Sequence, residues 1–151
     1  MAQIANTRKV FNFRIEIDGV DQWEIQKVTI PEVEIEAVEH GDANYSVKTA
    51  GRITVGDLVM EKLRPLPASD TWGWAWLQEA QNIQTGGGKL QANVNRNIVI
   101  KEMSTDGVTT VNRWFCEGSW VKKISQSDFD RATSDNIIET VTFSVDKCYR
   151  I

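Results

Sequence analysis

Apolar and polar residues alternate along much of the chain, and alternation with a period of two predicts strands that bury one face. Residues 11–18 show this pattern first, with apolar side chains at Phe11, Phe13, Ile15 and Ile17. Residues 137–147 repeat it and place Val141, Phe143 and Val145 on the core side. Turn sequences such as Asp18-Gly19 and Asp106-Gly107 separate the apolar runs. The pattern predicts about eight strands joined by hairpins.

The middle of the chain is less regular. Residues 32–37 alternate glutamate with aliphatic residues, which predicts a strand whose carboxylates share one face. Residues 41–51 are polar, bracketed by glycines and weakly patterned. We therefore expect a long loop there, and such loops usually contact a partner. Residues 52–63 and 89–94 predict two further strands.

A single helix is predicted over residues 70–84. Ser69 and Asp70 are good N-cap residues, and apolar side chains follow at helical spacing at Trp72, Trp76, Ala80 and Ile83. Three glycines, residues 86–88, end the helix. The tryptophans at this spacing predict core packing, with Trp74 a candidate for an interface.

These elements predict a mainly β fold in one domain, residues 1–151. Antiparallel strands with one amphipathic helix favour two packed antiparallel sheets, a β-sandwich or partly open barrel, flanked by that helix. At 151 residues, 41% of them hydrophobic and 25% charged, the chain is long enough to bury a core.

Composition excludes several classes of protein. No apolar run approaches the length of a bilayer span, so no membrane-spanning segment is expected. The first nine residues include the basic Arg8 and Lys9 but precede no apolar segment, which argues against a signal peptide and for folding in the cytoplasm. The net charge of −4 disfavours tight binding to nucleic acid phosphates.

No constellation of residues predicts catalysis, a metal or a cofactor. His40 is the only histidine, and the single Gly-Lys pair, Gly88-Lys89, lacks the remaining residues of a phosphate-binding loop. The aspartates of residues 128–135 lack the pattern of a calcium loop. Cys116 and Cys148 are expected to be buried thiols, with a disulfide within or between subunits as the alternative.

Three segments together resemble the tail tube family of contractile phages, R-type pyocins and type VI secretion systems. Residues 11–19 resemble the aromatic-led first strand of that family, ending in Asp-Gly. Residues 28–41 resemble its second strand and the start of its long loop, and residues 69–77 resemble its tryptophan-containing helix. The Pro65-Leu66-Pro67 sequence before the helix departs from the family pattern.

The resemblance implies a structural subunit that forms hexameric rings stacked into a hollow tube. The implied partners are other copies of the chain, a tail sheath protein, and baseplate and tail terminator proteins. DNA or effectors would pass through the lumen without specific binding. The implied location is the virion tail, assembled in the host cytoplasm.

The resemblance also implies roles for particular residues. The long loop, residues 41–51, and the N-terminal arm, residues 1–9, would contact the adjacent ring. The candidate contact residues within the loop are Asp42, Asn44, Tyr45, Val47 and Lys48. The acidic strand supplies lumen candidates, with an outer solvated face as an equal alternative and with Asp57 and Glu61 as weaker candidates. These lumen candidates are Glu32, Glu34 and Glu36.

Two alternatives remain open from the sequence. The chain could be a tube-initiating, tube-terminating or baseplate component with the same fold, since fold alone does not fix the role. It could also be a small-ligand-binding β-barrel, which would be a monomer with an apolar cavity.

Overall fold

The computed structural model describes residues 9–41, 43–64 and 72–151. These residues form ten strands and two helices. The strands are β1 Phe13–Ile17, β2 Val20–Asp21, β3 Ile25–Thr29, β4 Val33–Gly41, β5 Ser46–Val55, β6 Leu58–Leu63, β7 Arg96–Met103, β8 Thr110–Gln126, β9 Ile138–Ser144 and β10 Lys147–Arg150. The helices are α1 Trp72–Ala80 and α2 Gln91–Val94.

The long strand β8 belongs to two antiparallel sheets. Its first half pairs with β7 on one side and β10 on the other, and β7 continues to β1 and β2. Its second half pairs with β9, which continues to β6 and β3. Gly118 marks the change between the two halves and has a φ of 67°, a conformation that favours glycine. The strand path is open and ends at β2 and β3.

One core cluster takes side chains from both sheets and from α1. Its fully buried members include Ile98, Val121, Val141, Phe143 and Trp76. The Trp76 ring contacts the Phe143 ring at 5.3 Å between centroids, and its Nε1 donates a hydrogen bond to Val94 O at 2.7 Å. The predictions of a mainly β fold with two antiparallel sheets, and of Val141, Phe143 and Val145 in the core, are confirmed.

The prediction of a loop over residues 41–51 is wrong for most of its length. Residues 46–51 are the first part of β5, which pairs with β4 as a separate two-stranded hairpin. The side chains on both faces of this hairpin are exposed in the single chain. Residues 46–51 lack the period-two alternation that would have indicated a strand.

Three smaller boundaries also differ from prediction. Residues 52–63 contain two strands separated by Gly56-Asp57. Helix α1 ends at Ala80 because the Asn82 side chain accepts hydrogen bonds from the backbone of Gln84 and Thr85 and so starts a turn. Ile83 therefore lies beyond the helix and is exposed.

The predicted strand over residues 89–94 is instead extended backbone followed by α2. In this arrangement only Val94 of the segment is buried, while Leu90 is exposed. The Val94 carbonyl is thereby available to the Trp76 indole rather than to a sheet. Within residues 9–41, 43–64 and 72–151, no helix is long and apolar enough to cross a bilayer. The predicted N-cap residues Ser69 and Asp70 lie outside the described residues.

Candidate assembly surfaces

The β4–β5 hairpin has one largely apolar face. Ile35 pairs directly with Ile53, and Val33 pairs with Val55. Ile35 is 57% exposed and Ile53 is 66% exposed. Two opposed isoleucines in water lose the stabilisation that burial would give, so an exposed apolar ladder of this kind indicates an interaction surface.

The other face of the hairpin carries the predicted lumen residues. Glu34 and Glu36 alternate with Ile35 and so lie together on the opposite face. Strand β5 has one extra residue near Gly51, and the alternation of side chains along β4 continues unchanged past it. Glu32 precedes β4 and is also exposed, and its carbonyl oxygen accepts a hydrogen bond from Gly56 N at 2.8 Å. Residues 32–41 contain four glutamates and no lysine or arginine, so this strand is strongly acidic.

The predicted inter-ring residues that the structure describes lie together at and near the tip of the hairpin. Asn44 and Tyr45 are in the turn between β4 and β5, and Tyr45 is exposed. Val47 and Lys48 are the second and third residues of β5, and Lys48 Nζ lies 3.8 Å from Glu39 Oε1 in an exposed ion pair. Asp42 lies outside the described residues, as do residues 1–8 of the predicted N-terminal arm.

The weaker lumen candidates lie elsewhere. Asp57 follows the hairpin and forms an ion pair with Lys122 at 2.7 Å. Glu61 is on β6, where it pairs with Lys27 of β3 and Thr140 of β9. These residues border the sheet formed by β3, β6, β9 and the second half of β8, and their position relative to the hairpin could not be predicted from the sequence.

A second apolar surface, which sequence reasoning missed, lies between the two open ends of the strand path. A groove of about 1000 Å³ separates β1 from β3. Its wall includes Phe11 and Trp23, which are 73% and 71% exposed. The Arg14 guanidinium lies 5.2 Å from the Trp23 ring centroid and donates a hydrogen bond to Gly107 O, which holds one side of the groove in position.

The signal for this groove was present in the sequence but ambiguous. Phe11 continues the alternation of β1 and was therefore assigned to the core, yet it precedes the first strand residue, Phe13. Trp23 lies in the short connection between β2 and β3. From the sequence, an aromatic residue in either place is equally compatible with a core and with an interface. The structure shows that both side chains are exposed.

No residues that could hold a metal come together in the described parts of the chain, where groups of three or more histidine, cysteine, aspartate or glutamate ligands are absent. His40 is on the exposed hairpin, and its Nε2 lies 3.2 Å from Thr49 Oγ1. The features that stand out are three surfaces: an exposed apolar face of the hairpin, its acidic face and an apolar groove. Such surfaces are typical of a β-rich protein that associates with other chains.

The comparison with protein families assigns the chain more closely. The family model of the T4-like virus tail tube protein gp19 matches residues 9–148, and the chain belongs to this family. It is thus a tail tube family protein, as its opening strand, acidic strand and tryptophan-containing helix suggested. No curated protein matches the sequence.

Solved structures share the fold over nearly the whole chain. The chain is similar to a protein of the sheath-tube complex of an extracellular contractile injection system, with 13% identity, 98% and 93% of the two chains covered and a TM-score of 0.80. It is similar to the tube-terminating cap of the anti-feeding prophage, with 11% identity, coverage of 100% and 95% and a TM-score of 0.84. Hcp1 from Flavobacterium johnsoniae is more distant, with 15% identity, coverage of 91% and 93% and a TM-score of 0.53. At these identities the similarity establishes the fold.

Proposed function

We propose that the chain is a structural subunit that assembles into stacked hexameric rings around a lumen, and that it acts by assembly rather than catalysis. Membership of the tail tube family supports the proposal. The observation that carries it is the unpartnered apolar ladder of Ile35 and Ile53 on a hairpin that projects from the core. A ring of identical subunits would cover such a face on every copy.

The energetic argument for assembly rests on this ladder. Burying a large aliphatic side chain fully is worth about 1.5–3 kcal/mol, so covering each partly exposed isoleucine would contribute roughly 1–2 kcal/mol. The hairpin needs that contribution, because an isolated two-stranded hairpin is only marginally stable in water. Assembly would therefore order the hairpin as well as hold the ring together.

The hairpin tip is the proposed contact between successive rings. Tyr45 and Val47 offer exposed apolar area, and the Glu39–Lys48 pair offers both signs of charge. Asn44 and Asp42 complete this candidate set. The N-terminal arm, residues 1–9, is proposed to join the same contact.

The acidic face of β4 is the proposed wall of the lumen. Glu32, Glu34 and Glu36 would repel the phosphates of DNA, so DNA would slide through without adhering. Proteins with this fold occur in a sheath-tube complex, a terminating cap and a baseplate. We accordingly propose a sheath protein, a terminator and a baseplate as partners, and a virion tail or phage-like particle assembled in the host cytoplasm as the location.

Electron microscopy of three purified full-length proteins tests the proposal. The wild-type chain, concentrated at low salt, is expected to form six-fold rings or hollow rods. The double variant Ile35→Ser/Ile53→Ser is expected to remain monomeric while keeping its circular dichroism spectrum. Val108→Ser is the matched control, because Val108 is an equally exposed aliphatic residue in the turn between β7 and β8, and it should assemble like the wild type. A wild-type chain that stays monomeric at every concentration contradicts self-assembly.

A second candidate function is that of a component ending or starting the tube. The fold matches the tube-terminating cap with a TM-score of 0.84 and the protein of the sheath-tube complex with 0.80, whereas the matching family model is that of the tube protein and favours the tube role. The same micrographs distinguish them. A tube subunit polymerises into rods of variable length, whereas a terminating or initiating subunit stops at single rings.

A further inference from the structure

Two thiols face each other across the ladder that joins the last strand to the sheet. Cys116 on β8 and Cys148 on β10 are directly opposed in the antiparallel register, and their Sγ atoms are 3.6 Å apart. Both are free thiols, and they are 0% and 7% exposed. Directly opposed residues of an antiparallel pair have Cα atoms about 4.5 or 5.5 Å apart. Both separations lie within the range that a disulfide spans without moving the backbone.

Strand β10 is attached to the described part of the molecule through a single ladder. It pairs with β8 and with no other described strand. Beside the backbone ladder, Tyr149 OH donates a hydrogen bond to Glu117 Oε1 at 2.7 Å, and the Tyr149 ring stacks on Phe115. These contacts lie on the exposed side of the strand, so the cysteine pair is the buried attachment between β10 and β8. A covalent bond at this position would fasten the C-terminal strand to the strand that connects both sheets.

We propose that Cys116 and Cys148 are an oxidisable pair that forms an intrachain disulfide on reaction with a diffusible peroxide. Cys148, the more exposed of the two, attacks one peroxide oxygen, and the O–O bond breaks. Cys148 becomes a sulfenic acid, and the released hydroxide takes the thiol proton and leaves as water. The Cys116 sulfur then attacks the Cys148 sulfur, the S–O bond breaks, and a second water leaves with the Cys116 proton. Two thiols lose two electrons in total, and one hydrogen peroxide is reduced to two waters.

The surroundings of the pair determine when the reaction occurs. Burial raises the pKa of both thiols, and the neighbouring Cys148 raises that of Cys116 further. The reactive thiolate is therefore scarce at neutral pH, so the pair stays reduced while the chain folds in a reducing compartment and oxidises slowly afterwards. This inference concerns the isolated chain and does not rest on assembly into a tube.

The test compares reduced and peroxide-treated wild-type protein, so its result does not depend on whether a cysteine variant folds. After removal of reductant, hydrogen peroxide is expected to lower the mass of the chain by about two hydrogens and its thiol count in denaturant from two to zero. A non-reducing digest should yield a peptide joining Cys116 to Cys148. Because the two residues are 32 positions apart, the disulfide should raise the melting temperature by roughly 5–15 °C, and dithiothreitol should reverse the rise.

Two variants that each lack one of the thiols serve as controls. Cys148→Ser and Cys116→Ser are expected to show no rise in melting temperature on treatment with peroxide. Disulfide-linked dimers of the wild type, accumulation of sulfinic or sulfonic acid without a cross-link, or two thiols that survive peroxide until the protein unfolds would each overturn the proposal.

Discussion

Lys62 and Glu139 are buried together on one face of the second sheet, directly opposite each other on β6 and β9. Lys62 is 0% exposed, and its Nζ lies 3.6 Å from Glu139 Oε1. Arg64 Nε lies 3.6 Å from the other carboxylate oxygen, and the Trp72 ring centroid is 5.2 Å from Lys62 Nζ. This cluster lies where α1 begins and connects the helix to the sheet.

Removing one partner of this ion pair is expected to destabilise the protein strongly. Glu139→Gln removes the carboxylate 3.6 Å from the buried Lys62 ammonium, and losing one partner of a buried ion pair costs about 3–5 kcal/mol. The double variant Lys62→Met/Glu139→Gln removes the ammonium together with the carboxylate and should be less destabilised than the sum of the single variants. Urea unfolding of the wild type, both single variants and the double variant measures this coupling.

The exposed pair Glu39–Lys48 on the hairpin provides the matched control. Its two side chains are largely exposed at a similar separation, 3.8 Å. The corresponding variants Glu39→Gln and Lys48→Met should change the free energy of unfolding by less than about 1 kcal/mol. If the variants of both pairs changed the free energy of unfolding equally, burial would not be the reason for the effect at Lys62 and Glu139.

The glycine between the two halves of β8 gives a second prediction, for Gly118→Ala. A Cβ at this residue would collide with the Asp146 carboxylate, and the φ of 67° is unfavourable for alanine. We expect the substitution to lower the free energy of unfolding by more than about 1 kcal/mol, measured by urea denaturation. Gly19→Ala is the control, since Gly19 also has a positive φ, 80°, but no atom lies within 4 Å of its Cβ position. Equal losses would mean that backbone strain alone, without the collision, accounts for the effect.

The turn between β7 and β8 depends on an ionised aspartate. The Asp106 carboxylate accepts hydrogen bonds from the backbone of Thr109 and Val108 and from the Thr109 hydroxyl, and these bonds lower the pKa of Asp106. A lowered folded pKa stabilises the native state above the unfolded value, about 3.9, and this stabilisation is lost as pH falls through the folded pKa.

Asp106→Asn should therefore be less stable than the wild type at pH 7, and the difference should narrow as pH falls below about 4. Thermal unfolding of both proteins, in buffers about one pH unit apart between roughly pH 2 and pH 7, measures this difference in stability. A difference that is independent of pH would assign the effect to the geometry of the turn rather than to its charge.

The sequence predicted those elements that bury one face. Val141 and Phe143 show period-two alternation because their strand has a core side and a solvent side. Residues 46–51 of β5 are exposed in the single chain and carry no clear period-two signal, and for them the sequence predicts a loop. In the proposed ring the hairpin is covered by a neighbouring subunit, and a single-chain pattern does not encode contacts between molecules.

Buried charge was the other feature beyond prediction. Lys62 shares a face with Leu58 and Met60, so its alternation placed a lysine in the core, where a cation is unstable without a partner. Its partner Glu139 is far away in sequence and meets it only through the pairing of β6 with β9. The lumen candidates Glu32, Glu34 and Glu36 rest on a local alternation, and the side of the tube that they face depends on assembly.

Reversing the charge on the acidic face of β4 tests the lumen assignment. Tubes assembled from Glu34→Lys/Glu36→Lys are expected to retain short linear DNA at low salt and to release it as salt increases, because each lysine that contacts a phosphate displaces a counterion. Sedimentation of the tubes with labelled DNA measures the bound fraction. Asp128→Lys/Asp130→Lys, which introduces the same charges in the exposed segment after β8, is the matched control.

The shape of the DNA distinguishes the lumen from the outer surface. A linear fragment can enter an open tube end, whereas a closed circle cannot thread through it and binds only to the outside. If Glu34 and Glu36 line the lumen, the reversed tubes should retain linear DNA and leave closed circles in the supernatant. If circles sediment equally well, the acidic strand faces outward and the lumen wall must come from another face, of which the Glu61 side of the second sheet is the first to test.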